Sequence, residues 1–326
     1  MTEWRYWLEE NRGAIMALVL FIAMFAIYSG NHPAGFTPNV VQTASNKGVL
    51  LAFVAMAEAL VVLTAGIDLS VGMMLVLCNC LASWIVVGTA GATTLGIVCV
   101  LLAGLACGAL NGLVVIYGRL QPIVTTIATS AIFYGIALYL RPHPGGSVNE
   151  TVADALTSKV FGLVPASLIA LFLVVLIVWV PYSRSVYGRA AYAAGSAEHS
   201  AYMSGMPVKR AKFLAYSLSG LLCAMGGLFL TFFSYTGEAS LASGNTYTLY
   251  SIASVVLGGV SLAGGRGTAI GAVFGALAFR TIGDLLFVFD FEPLWQPLFQ
   301  GLILVFAVSL SALGLLSVRN KLAWFR

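Results

Sequence analysis

The sequence predicts an all-α, polytopic membrane protein of about ten transmembrane helices, and three observations carry that prediction. Hydrophobic residues make up 60% of the 326 and charged residues only 9%, with a mean hydropathy of +0.96; an ordinary soluble domain carries roughly 25% charged residues. Apolar stretches of about 20 residues, the length that crosses a bilayer as a helix, recur along the chain. Basic residues crowd the segments on one side of the path those stretches define. So much apolar surface leaves a globule too little polar surface to cover itself, so the natural solvent is lipid.

In order, the spans fall at about 13–30, 48–66, 69–88, 93–117, 122–140, 165–181, 213–233, 248–263, 268–289 and 295–315. The first follows MTEWRYWLEENR, which is polar and aromatic, carries three acids and does not read as a cleavable signal. Pro165 and Pro181 bracket the sixth. An even number of spans puts both termini on one side. With that side cytoplasmic, twelve basic residues lie inside, against Lys47, Arg141 and Lys159 outside and Arg280 within a span. Positive-inside placement therefore predicts cytoplasmic N- and C-termini. The whole of 1–326 reads as a single transmembrane domain.

Two segments between spans are polar. The outside one, 141–164, holds Pro142, Pro144, Gly145 and Gly146 and reads as a turn-rich loop. The inside one, 182–212, is the longest polar cytoplasmic segment. Its centre, GSAEHSAYMSG, predicts a short helix from Ala197 to Met203, capped by Ser196 and ended by Gly205. Such a helix either lies on the membrane surface as a connector or docks a cytoplasmic partner.

The formal charge of +4 is scattered without a basic stripe, so nucleic acid is not an expected partner. The five cysteines lie in apolar segments, and their odd number argues against a disulfide framework. Cys78 and Cys80 lack a neighbouring His or third Cys, so no metal site is expected. Gly104, Gly108 and Gly112, and again Gly267, Gly271 and Gly275, are spaced by four and predict faces of bare backbone for close helix packing. Five spans per half would permit an inverted repeat, although both glycine rows fall toward the inner side.

Four charged residues lie within or at the ends of spans: Glu58, Asp68, Arg280 and Asp284. Such residues face a bundle interior or a cavity. Arg280 and Asp284, four apart on one helix, predict a self-neutralising pair. Asp68 lies in TAGIDLSVG (64–72), which reads as a glycine-bracketed break: Gly66 ends one helix, and Asp68 or Ser70 caps the next. A break at membrane depth survives only where it is buried in protein or lines a watery cavity. Asp68 is thus a candidate both for capping and for substrate contact.

AEALVVLTAGIDLSVG (57–72), CGALNGLVVIYGRLQPIVTTIAT (107–129) and SIASVVLGGVSLAGGRGTAIGAVFGAL (251–277) resemble the permease subunits of bacterial ribose-type sugar ABC importers. The resemblance runs from about 13 to 315. It implies a translocation subunit in the bacterial cytoplasmic (inner) membrane that moves a sugar or sugar-like solute by alternating access. It also implies three partners: a second permease chain, identical or paralogous; a cytoplasmic ABC ATPase; and an extracytoplasmic sugar-binding protein. The loop 182–212 corresponds to the family's coupling helix, which places Gly195, Ser196, Ala197, Glu198, His199, Ser200, Ala201 and Gly205 at the ATPase. Ser200 stands where a small alanine is usual, and His199 is not a typical neighbour. The chain has no G-x-x-x-x-G-K-[ST] phosphate loop. It is therefore not itself an enzyme, needs no cofactor, and leaves ATP and Mg to the partner. Asp68, Asn111, Gln121, Thr125 and Tyr134 are candidates for the substrate pathway, with helix–helix hydrogen bonding as the competing role. The rival function is an ion-coupled secondary transporter that uses Glu58, Asp68 or Asp284 as the coupling acid.

Overall fold

The computed structural model describes residues 3–306 and 309. The end of the tenth predicted span and the basic residues Arg319, Lys321 and Arg326 lie outside the described residues. The helices are α1 (Glu3–Asn31), α2 (Pro38–Val62), α3 (Val71–Ile85), α4 (Ala90–Gly112), α5 (Pro122–Leu140), α6 (Glu150–Thr157), α7 (Ala166–Val174), α8 (Val180–Arg184), α9 (Val186–Met203), α10 (Val208–Ser234), α11 (Leu241–Leu257) and α12 (Ala269–Val288). A last helix, α13, runs over Gln296–Phe306. Single π-turns extend α4 through Tyr117 and join α7 to α8. Among the described residues seven helices are long and apolar enough to cross a membrane: 11–31, 38–62, 90–117, 122–140, 166–184, 208–234 and 269–288. α3 and α13 are apolar but shorter. The protein is a multi-pass, all-α membrane protein.

α2 is the axis of the fold. Almost all of it is buried, from Val49 to Leu63, against α12, α10, α11 and α7. The apolar template starts this helix near 48, yet it begins at Pro38. Thr37 caps it, accepting from Val40 N at 3.5 Å, with proline in the first turn. Its polar first turns are used: Gln42 and Asn46 donate to the Thr157 carbonyl at 2.7 and 2.9 Å. α10 likewise starts before its apolar run, at Val208, and takes Lys209, Arg210 and Lys212 into its first turns. α4, α5 and α7 turn apolar side chains outward, among them Leu95, Leu102, Ile127, Ile132 and Phe172. That is the lipid-facing pattern of a membrane bundle.

Packing partners follow a two-fold pattern. α4 lies on α10 as α12 lies on α2; α3 lies on α10 as α11 lies on α2. Two five-helix halves related by a pseudo-dyad would exchange partners in this way. Glycines set the closest approaches. A Cβ on Gly104 would meet the Gly220 carbonyl at 2.5 Å, and one on Gly108 would overlap the Tyr216 carbonyl. Gly112 faces the Phe213 ring, so the first glycine row seats α4 on α10. The second row is shorter than its spacing predicts. Gly271 and Gly275 sit against Gly258 and Ser254 of α11, but Gly267 precedes the helix, with φ +103°. Gly108→Val should force α4 off α10 and destabilise the chain by ~1–3 kcal/mol, read as a lower melting temperature of the purified protein in detergent.

The predicted outside loop is partly regular. Asn149 caps α6, and Lys159–Val160 pairs antiparallel with Val164–Pro165. The segment folds over the end of α3: Arg141 donates to the Ser83 hydroxyl and carbonyl at 3.0 and 2.7 Å, and Asn149 N to the Val86 carbonyl at 2.9 Å. The predicted inside loop is also mostly helix, since α8, α9 and α10 divide it.

Candidate functional site

The TAGIDLSVG segment forms a break, as its glycines suggest, with a different division of labour. α2 closes in a Schellman turn, with Ala65 N on the Val62 carbonyl at 2.9 Å and Gly66 N on the Val61 carbonyl at 3.3 Å. The left-handed residue is Ala65, φ +61°, rather than Gly66. Gly66 serves a spatial need instead: a Cβ there would stand 2.9 Å from the Tyr216 hydroxyl and 3.0 Å from Val61.

Asp68 is completely enclosed. Its Oδ1 accepts from Ser70 N at 2.9 Å and from Ser70 Oγ at 2.6 Å. This is an Asx turn that leads into α3 rather than a cap on its first turn. Three further amides of the break are met from elsewhere in the chain. Leu69 N donates to Thr126 Oγ1 of α5 at 3.0 Å, Gly72 N to Thr248 Oγ1 of α11 at 3.2 Å, and Asp68 N to Glu58 Oε1 of α2 at 3.3 Å. Asn111 of α4 closes the cluster, donating to Ser70 Oγ at 2.8 Å and toward Asp68 Oδ2 at 3.5 Å. Four helices, α2, α4, α5 and α11, therefore supply hydrogen-bond partners to one interruption, as a low-dielectric setting requires.

Of the five pathway candidates, this cluster unites Asp68 and Asn111. Thr125 is buried beside Thr126, and its hydroxyl has no partner. Gln121 is exposed at the start of α5, and Tyr134 packs against the hydrophobic core. Glu58, Thr126, Thr248 and Tyr216 belong to the cluster's walls and are not legible as such, because each lies in another helix.

The predicted inside loop touches the same break. A Cβ on Gly195 would overlap the Leu63 carbonyl and stand 2.5 Å from Gly265 N. Gly265 N in turn donates to the Leu63 carbonyl at 3.1 Å, and the Tyr192 hydroxyl donates to the Gly267 carbonyl at 2.7 Å. Gly264 and Gly265 both have left-handed φ, +85° and +69°. GGRG is thus a tight turn wedged between α9 and the end of α2. α9 is kinked at Ala197, φ −161° and ψ 88°, so the helix ladder restarts there, where the sequence predicts a start. Ser196, however, caps nothing: its hydroxyl donates back to the Tyr192 carbonyl at 3.0 Å. The end is as expected, with Gly205 left-handed at φ +76° and Met206 N on the Ala201 carbonyl at 3.2 Å. Residues Ser196 to Ser200 are exposed, and Ala201 is buried beneath them. Glu198, His199, Tyr202 and Lys209 border a recess of about 380 Å³.

The other two charged positions depart from expectation. Arg280 does not pair with Asp284. Asp284 is held instead by Lys47 of α2, Nζ to Oδ1 3.3 Å. A cation from a neighbouring helix wins because it meets the carboxylate at a helix–helix contact, whereas an (i, i+4) pair gains only ~0.2–0.5 kcal/mol. The sequence assigns Lys47 to the outside edge and gives no sign of that meeting.

A membrane-embedded helical bundle with an interrupted polar centre held from four helices and an exposed, kinked helix packed on it has the form of a transport permease. The family described as "Branched-chain amino acid transport system / permease component" matches residues 40–308. The chain is 32% identical to the ribose import permease protein RbsC of Bacillus subtilis (strain 168), over 92% of each. It is 30% identical to the fructose import permease protein FrcC of Rhizobium meliloti, over 94% of this chain and 87% of that one. It is also 30% identical to the D-allose transport system permease protein AlsC of Escherichia coli (strain K12), over 93% and 92%. No solved structure matches. The chain belongs to this permease family, in its ribose-type ABC importer branch.

Proposed function

We propose that the chain is the pore-forming subunit of an ATP-driven importer that takes up a sugar or sugar-like solute by alternating access. The observation that carries the reading is the junction of Gly195–Ser196 with Leu63 and Gly265. It joins an exposed cytoplasmic helix to the buried break by direct backbone contact. A partner ATPase bound over Glu198, His199 and Tyr202 would move α9, and α9 cannot move without displacing the end of α2. The relatives are named as ribose import, fructose import and D-allose transport system permeases, which supports a monosaccharide-like cargo. ATP and Mg belong to the partner. A second permease chain completes the pore, and a binding protein delivers the solute from outside.

In this reading ten spans cross the bacterial inner membrane, with α9 and both termini in the cytoplasm. Asp68 and Asn111 hold the break together, and the cargo passes between permeases. Deletion of the ATPase encoded with this chain should abolish uptake of its solute, while a protonophore applied at constant cellular ATP should leave uptake intact. The reverse pair of results would sink the reading in favour of an ion-coupled carrier that uses Glu58 or Asp68. Cysteines placed at His199 and at Phe161 should be labelled from opposite sides of the membrane; labelling from the same side would refute the topology.

A further inference from the structure

A cavity of about 410 Å³ opens among α2, α10, α11, α12 and α13, within the 300–1,000 Å³ typical of small-molecule sites. Its wall carries two cations, Lys47 and Arg280, with the hydroxyl-bearing Thr246 and Tyr247 and the Gln296 amide. The charges are not balanced. Lys47 is spent on Asp284 at 3.3 Å, and no carboxylate lies within ion-pair distance of Arg280 among the described residues. A second recess, with Tyr28 and His32, shares Lys47, Arg280 and Gln296 with the first. The free guanidinium therefore stands at the boundary of two spaces.

We propose that Arg280 receives an anionic group of the transported solute, so that the cargo is an acidic sugar, a sugar carboxylate or a sugar phosphate, rather than a neutral one. This rests on the importer reading and narrows its substrate class. A charged residue within a transmembrane helix faces the bundle interior or a water-filled cavity, where it is paired or marks a substrate pathway. Here the nearest acid on the same helix is already taken. The planar guanidinium presents donors in a fork that matches a carboxylate or phosphate in two-point contact. Thr246, Tyr247 and Gln296 offer donors and acceptors for sugar hydroxyls. Tyr250 takes no part, because its hydroxyl is committed to Gln300.

The test has two arms. In cells with and without the chain, uptake of labelled D-gluconate, D-glucuronate and D-ribose 5-phosphate is compared with that of D-ribose, D-fructose and D-allose. The expected result is that loss of the chain removes uptake of an acid, that Arg280→Gln lowers it about tenfold to a hundredfold, and that Arg280→Lys restores part of it. If the chain is needed for a neutral sugar and Arg280→Gln transports that sugar normally, the importer stands and the anion site is overturned. If the chain is needed for none of them, the importer reading fails for this panel. The binding arm then decides the site by itself. The purified chain in phosphatidylcholine nanodiscs should gain thermal stability from the same acids, and Arg280→Gln should not. No gain in the wild type overturns the site. A gain from phosphatidylglycerol but not from any sugar acid assigns the guanidinium to a lipid headgroup and equally overturns it.

Discussion

Asp68→Leu should yield little folded protein, while Asp68→Asn should accumulate and melt close to the wild type. The leucine leaves Ser70 N and the Ser70 hydroxyl proton without their acceptor at a fully buried site, while the Asn111 amide keeps only Ser70 Oγ. Each orphaned group costs about 1–3 kcal/mol, and a total of about 3–5 kcal/mol is in the range that unfolds marginal proteins. Asparagine keeps an oxygen for Ser70, and a flip of Asn111 can present its own oxygen to the new amide. Its cost should stay near 1 kcal/mol. Fluorescence-detected size exclusion of tagged variants gives yield and melting temperature together. Equal behaviour of the two variants would show that the hydrogen bonds around Asp68 do not hold the break.

Gly195→Val should separate transport from assembly. The added side chain must displace either the Leu63 carbonyl or Gly265, both backbone, so no rotamer change relieves it. Overpacking of this kind costs about 1–3 kcal/mol. Where the two access states differ in this contact, a bias of about 1.4 kcal/mol shifts their ratio tenfold. The expected outcome is a loss of uptake of about tenfold or more, with normal protein in the membrane fraction and ATP hydrolysis no longer stimulated by loaded binding protein. Normal uptake would mean that the α9–Leu63 contact is only packing. Replacement of Ser200 by alanine, on the exposed side of α9, is the control that should leave uptake unchanged.

Much of the fold is legible in the sequence because lipid simplifies the signal: a span must be apolar for about 20 residues. The misplaced starts, at α2 and α10, are the places where helices carry polar side chains into protein contacts rather than lipid. Thr37-Pro38 is the local signal that marks the true start of α2. The break at 64–70 is legible from glycine and Asp68, and the left-handed Ala65 is not, since alanine gives no hint of positive φ. For the candidate site the limit is one of distance along the chain. Asp68 and Asn111 each read as polar residues in apolar surroundings, but their bond joins positions 43 residues apart. Arg280 and Asp284 read as a local pair until Lys47, 237 residues away, is seen to hold the acid.

That last separation bears on how the protein is made. α2 is enclosed by helices that follow it in the chain, so its polar first turns leave the ribosome long before Thr157 and Asp284 exist to receive them. Through most of synthesis Lys47 must be kept at the membrane edge by water, by headgroups or by an insertion factor. Chains truncated before α12 therefore leave the Lys47 ammonium without its carboxylate. The Lys47–Asp284 contact is in effect the molecule's mark of completion.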